Sequence, residues 1–227
     1  MTASLLTVSK TEPDTTLPQW QPATWEDYLA CCDDPEINWV NIYFNRGYLL
    51  VDMSNEGISH ATITQLFTML FAFWFSQKPE LLFTLMGGCL LEKAKTQAAS
   101  PDLVLYLGED YPRRLPGERR YVNLNRCRVP NLVGEISDTS LASDLDEKKQ
   151  IYADLQIPEY WVIDVRALRV LAFQLQPNGK YQECTESLAL SGLQISLLEQ
   201  TLERLNEGTN GSAALWFAQQ IANLKAE

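Results

Sequence analysis

Three charged side chains sit where the apolar pattern around them leaves little solvent, and together they suit phosphodiester cleavage. Asp102 follows Ser100-Pro101 and opens the run Leu103-Val104-Leu105-Tyr106, so its carboxylate stands at the entrance of a strand. A simple turn aspartate after proline has the same spacing. Glu135 lies inside Val133-Gly134-Glu135-Ile136-Ser137, where alternation puts Leu132, Gly134 and Ile136 on one face and Val133, Glu135 and Ser137 on the other. A carboxylate in such a strand is costly unless a metal ion, a lysine or an arginine balances it. At about 100° per residue, Lys148 shares a helical stripe with Leu145, Ile151, Tyr152 and Leu155 in the segment 144–155, and Lys149 falls at its edge. Lys148 therefore points inward and needs an anionic partner, Asp102 or Glu135, unless its amine snorkels along the helix to water. Two carboxylates on neighbouring strand ends would hold a hard cation such as Mg²⁺ or Mn²⁺ through oxygen ligands. Such a cation polarises a phosphoryl oxygen and lowers the pKa of its bound water. The lysine would position or help deprotonate that water and steady negative charge. A structural ion pair is the competing reading of the same pattern.

The elements that must position these groups follow from the hydrophobic periods. Residues 24–30 read as a short amphipathic helix with Thr24 as N-cap. Residues 38–44 and 48–53 read as a β-hairpin around Asn45-Arg46-Gly47. Residues 59–77 are apolar nearly all round and predict a helix covered on most sides, stopped by Pro79. Strands are predicted over 81–86 and 89–93 around Gly87-Gly88, then over 102–107, 131–137, 159–164, 170–175 and 181–185. One helix is expected over 144–155 and two more at 196–206 and 212–225, with 108–130 irregular. The pattern is one mixed sheet wrapped by a few helices: a single α/β domain over 23–227 behind a flexible, Pro-punctuated lead-in of residues 1–22.

Composition narrows the partners. The 227 residues carry 18 basic and 29 acidic side chains, a net charge of −11, so bulk attraction to nucleic acid or an anionic membrane is excluded and any phosphate must be captured locally. The opening residues lack a basic start followed by an apolar core, and the run 63–75 is shorter than a bilayer span, so a cytoplasmic protein with no membrane association is expected. Five cysteines without metal spacing read as reduced, buried thiols. Six of the ten arginines (Arg113, Arg114, Arg119, Arg120, Arg126 and Arg128) fall within 16 residues, between the two carboxylate elements. Guanidinium groups suit bidentate phosphate contact, though a solvated loop or an oligomer contact fits as well. Exposed strand edges admit a homodimer.

The stretches SPDLVLYLGED and PNLVGEISDTSLASDLDEKKQIYADLQIPEYWVIDV resemble the Uma2 (DUF820) family of restriction-endonuclease-like proteins, common in cyanobacteria and similar to the PD-(D/E)XK nucleases. The resemblance runs from about residue 25 to 198 and is strongest over 130–165, where a lysine, three residues and a tyrosine precede Pro158-Glu159-Tyr160-Trp161 and Asp164. It implies a restriction-endonuclease-like α/β fold: a mixed β-sheet flanked by helices, with an additional N-terminal hairpin and C-terminal helices. It also implies a divalent metal site and a nucleic-acid substrate, DNA. By motif, Asp102 matches the PD aspartate and Glu135 the acid of the (D/E)XK element, and Ser137 stands in place of that element's lysine. Lys148 matches the lysine the family carries on the following helix, with Tyr152 in support, and the backbone carbonyl of Ile136 would be the third metal ligand. Related sequences often place an acid directly after the glycine of the first hairpin. Here Gly47 is followed by Tyr48, leaving Asp52 or Glu56 to stand in. His60 matches a histidine at the start of the first long helix, read as a helix cap or as a contact to the scissile phosphate. The leading reading is a metal-dependent endonuclease. The alternative is a catalytically inactive nuclease-fold protein acting as a binding or scaffold component.

Overall fold

The structure, a computed structural model, describes residues 19–34, 41–52, 57–114, 116–117 and 119–223. In chain order the elements are β1 (Gln21–Pro22), α1 (Trp25–Asp33), β2 (Asn41–Asn45), β3 (Tyr48–Asp52), α2 (Ile58–Ser76), β4 (Phe83–Met86), β5 (Leu91–Lys93), β6 (Gln97–Ala99) and β7 (Leu103–Leu107). They continue with β8 (Val122–Asn123), β9 (Leu132–Ser137), α3 (Leu141–Leu145), α4 (Glu147–Asp154), β10 (Glu159–Asp164), β11 (Arg169–Leu175), β12 (Tyr181–Cys184), α5 (Ile195–Glu207) and α6 (Asn210–Asn223).

Among the described residues the strands form two mixed sheets. One runs β12-β11-β10-β9-β7-β4, with β9 and β10 parallel and every other pair antiparallel. Every residue of β9 is buried, as expected of a strand covered on both faces, and its parallel neighbour is reached through the α3–α4 crossover. The other sheet runs β1-β3-β2-β6-β5-β8 and contains the N-terminal hairpin. Its turn has positive φ at Arg46 and Gly47, the geometry of a two-residue hairpin loop whose twist suits the strands.

Three buried layers result. Leu132, Ile136, Trp161 and Ile163 face α2, α5 and α6, where Phe71 stacks on Trp161 at 5.7 Å between centroids. Val104, Val133, Tyr160 and Val162 leave the opposite face and meet Tyr43 and Leu50 of the second sheet and Ile151 and Tyr152 of α4. Beyond that sheet, α1 packs Tyr28 over Ile42, Phe44 and Leu49. Alternation along β2 thus sends Ile42 and Phe44 toward α1 and Tyr43 toward the first sheet.

Several sequence-based expectations need correction. The strands expected to share one mixed sheet divide between two: β4 borders one sheet and β5 belongs to the other, so Gly87-Gly88 carry the chain between layers. The helix expected over 144–155 is broken at Asp146 (φ −117°, ψ −86°) into α3 and α4. α2 is covered on most sides but not on all. It is 19 residues long and apolar enough to cross a membrane, yet Ala61, Gln65, Thr68, Ala72 and Ser76 form an exposed stripe opposite its core face. Gln21 and Pro22, assigned to the flexible lead-in, pair with Leu49 and Tyr48. Glu56, Glu118, the rest of the lead-in (1–18) and the ends of the predicted segments at 38–40, 53 and 224–225 lie outside the described residues. The five cysteines are free thiols and half-buried rather than fully buried.

Phe71 fills the layer between α2 and the first sheet, so Phe71→Ala should cost about 3–5 kcal/mol, read as a lowered midpoint in urea unfolding.

Candidate active site

The position of Asp102 follows from where β7 stops. Its last ladder partner on β9 is Gly134, opposite Leu103, so beyond that point the edge of β9 is open. Asp102 fills the gap with its side chain: Oδ2 accepts the Ile136 N–H at 2.7 Å. In extended backbone the N–H and C=O of one residue project to the same edge, so the Ile136 carbonyl also faces the Asp102 side of the strand. Two glycines permit this approach. A Cβ on Gly134 would stand 3.2 Å from Leu103 Cδ1, and one on Gly87 would stand 3.1 Å from the Asp102 carbonyl oxygen. His60, in the first turn of α2, completes the setting with Nε2 at 3.1 Å from Asp102 Oδ2. The helix-cap reading of His60 is therefore corrected: its ring is engaged with the carboxylate, and the N-cap, Gly57, has no side-chain cap bond.

Glu135 projects between the two sheets and is 2 % exposed. Its carboxylate accepts the Tyr43 hydroxyl at 3.2 and 3.3 Å, a hydrogen bond from the Tyr152 hydroxyl, and the Lys148 ammonium at 3.4 Å. Tyr43 also lies under the ammonium, 4.4 Å from ring centroid to Nζ, and its hydroxyl reaches the Ser100 carbonyl at 3.0 Å. Lys148 points inward and is 5 % exposed. Its nearest carboxylate is Asp144, at 2.8 Å, one helical turn earlier. Asp144 is fully buried, takes the Ser140 hydroxyl at 2.6 Å, and offers its backbone carbonyl to Tyr160 at 2.8 Å. Of the two partners expected for Lys148, Glu135 is one, while Asp102 pairs with His60 and Ile136 instead.

Tyr43 and Asp144 were not legible as site residues. Tyr43 looks like an ordinary inward aromatic of a hairpin, and nothing in β2 says which sheet it will face. Asp144 stands four residues before Lys148, an ion-pair spacing on a helix, and that was the available signal. Ser137 follows Glu135 on the same strand face, buried, and its hydroxyl has no hydrogen-bond partner. Tyr48 is exposed on β3, Asp52 ends that strand opposite Asn41, and the hairpin brings the Tyr43 hydroxyl to Glu135.

Five of the six clustered arginines (Arg113, Arg114, Arg119, Arg120 and Arg126) line a groove of about 850 Å³ whose lining also includes Ile42 and Ser100. Arg128 is not among them. It is spent on the loop itself, donating to the carbonyls of Asp110 and Leu107 and to Asn131 Oδ1 and lying over the Tyr106 ring.

Burial raises the Glu135 carboxyl from an ordinary value of 4.5 to about 8, with Lys148 opposing and Asp102 and Asp144 adding to the rise. Burial would lower Lys148, but the Glu135 and Asp144 carboxylates outweigh it and hold the amine well above its usual range. With the folded pKa of Glu135 above its unfolded value, the native state binds the extra proton between about pH 4.5 and about pH 8. Its contribution is therefore fully present below that window and lost as the pH rises through it. Unfolding free energy should fall as the pH is raised across this interval, and Glu135→Gln should flatten the decline; chemical denaturation at stepped pH reads both.

Residues 25–209 match the family Uma2, described as "Putative restriction endonuclease". Among solved structures the fold is similar to that of a protein from Anabaena variabilis described as a putative nuclease belonging to DUF820, with a TM-score of 0.55 at 16 % identity over 80 % of this chain and 99 % of that one. No curated protein matches. The matched segment spans β2 to β12 and every residue of the carboxylate cluster, so the chain belongs to the Uma2 family of restriction-endonuclease-like proteins.

Proposed function

We propose that this protein is a metal-dependent endonuclease hydrolysing DNA phosphodiester bonds, with Asp102, Glu135 and the Ile136 carbonyl holding Mg²⁺ or Mn²⁺ and Lys148 serving the attacking water. Restriction-endonuclease-like families generally use divalent metals. The observation that carries the reading is the meeting of Glu135 with Lys148 beside the β9 edge that Asp102 occupies. The residues fit a hard cation on three counts. The donors are carboxylate and carbonyl oxygens. Three carboxyl groups (Asp102, Glu135 and Asp144) gather beside one ammonium and one imidazole, and burial together with the other two acids raises the pKa of Glu135, whose proton a bound cation would displace. The Ser137 hydroxyl, on the same face, is a buried polar atom without a partner.

When bound, the cation would polarise a phosphoryl oxygen and lower the pKa of a coordinated water. The remaining work falls to the chain. Glu135, with Asp144 beside it, keeps the Lys148 ammonium charged, so Lys148 acts by orienting water and steadying charge on the phosphoryl group rather than by accepting a proton. Tyr43 and Tyr152 hold the Glu135 carboxylate from two sides. His60 steadies Asp102 from the helix rather than reaching for the phosphate.

One observation favours a second reading. The Glu135 oxygens already receive two phenols and an ammonium, which suits an inactive nuclease-fold protein that binds without cleaving. Plasmid DNA incubated with Mg²⁺ or Mn²⁺ separates the two. Cleavage by the wild type, lost in Glu135→Gln together with calorimetric metal binding, supports the enzyme. No metal uptake by the wild type supports the binder. Lys148→Ala should keep metal binding and lower turnover by about 10²–10³. Equal unfolding of both variants would make the cluster purely structural.

A further inference from the structure

The arginine-lined groove has features that the carboxylate cluster does not explain. In a molecule with a net charge of −11, five of 18 basic residues gather around one cleft. The wall is built rather than incidental. Arg119 Nη1 is anchored at 3.2 Å by Glu92, a buried carboxylate that also takes the Tyr28 hydroxyl at 2.9 Å. The Arg119 guanidinium lies 4.8 Å over the Tyr121 ring, and Arg113 lies at the same distance over Tyr111. The floor between them is apolar, with Met86, Leu90 and Val122.

The groove also leads to the acids. Ser100, in its lining, accepts through its carbonyl the Tyr43 hydroxyl that touches Glu135. Gly87, also in the lining, lies against the Asp102 backbone closely enough that a Cβ there would come within 3.1 Å of its carbonyl oxygen. A volume near 850 Å³ is on the scale of small-ligand clefts, roughly 300–1,000 Å³, with room for a few nucleotides of one strand. Glu135 and Asp102, beyond that lining, are 2 % and 8 % exposed, which a thin, flexible chain reaches more readily than a rigid duplex. Guanidinium groups for phosphates beside aromatic faces for bases are the two components of single-strand recognition.

We infer that this groove binds a single strand of nucleic acid, its phosphates on Arg113, Arg119 and Arg120 and its bases against the apolar lining of Met86, Leu90 and Val122 beside Tyr121, and guides it toward Asp102 and Glu135. The inference deepens the hydrolytic reading but is tested by binding alone, so a protein that holds the strand and never cleaves it would overturn hydrolysis and leave the groove standing.

The test is fluorescence anisotropy of the full chain in EDTA, with a labelled oligothymidylate of about a dozen nucleotides against a hairpin duplex of equal length. The single strand should bind more tightly than the duplex, with affinity falling steeply as salt rises. Arg113 and Arg120 are exposed, so R113E/R120E should fold normally. It should bind roughly tenfold or more weakly at about 50 mM salt, with a shallower salt slope. R169E/R204E makes the same charge change on the surface around α5 and should bind like the wild type. Equal loss in both double variants, tighter binding of the duplex, or no binding by the wild type would overturn the inference.

Discussion

A carboxylate enclosed between two sheets is the constraint around which this molecule is organised. Glu135 cannot leave its strand without moving β9, and it cannot remain there without partners, because an unpaired charge in that layer costs several kcal/mol or more. Its three partners come from two places: Tyr43 from the second sheet, and Tyr152 and Lys148 from α4. Each brings a further obligation. Lys148 requires Asp144, Asp144 takes the Ser140 hydroxyl, and its backbone is held by Tyr160 of β10. The docking of sheet to sheet and of α4 to both therefore passes through a polar network, where removing any one member leaves another buried and unsatisfied.

The second acid is held differently. Asp102 takes the place of a ladder residue, using its carboxylate to satisfy a backbone N–H that β7 no longer reaches. Glu135 is bound by side chains and Asp102 by backbone and an imidazole, so the two neighbouring carboxylates meet different surroundings. The same economy separates charge over the surface. The net charge is −11 while five arginines gather in one groove beside the site, which allows local capture of phosphate without general affinity for polyanions.

Much of the fold was legible because its signals are local. Thr24 caps α1 through a reciprocal bond with Asp27, the Arg46-Gly47 turn closes the hairpin, and the apolar runs became β7, β9 and β10. The failures share one cause. Gly87-Gly88 reads as a turn whether the next strand folds back or crosses to another sheet, and the stripe through Leu145 and Lys148 looks continuous even though the backbone breaks at Asp146. Exposure of one face of α2 was written in its small and polar residues, but large aromatics on the other positions obscured it.

By itself the sequence determined that Asp102 opens a strand, that Glu135 lies buried within another, and that Lys148 turns inward, since each follows from the alternation or helical period of its neighbours. Only tertiary structure decided which groups answer those charges: Tyr43 and Asp144 for the Glu135–Lys148 pair, His60 for Asp102, and the loop carbonyls that take Arg128 out of the groove. Periodicity states which way a side chain faces relative to its own element. Which element lies opposite is set by how whole layers pack, and burial then selects the partner.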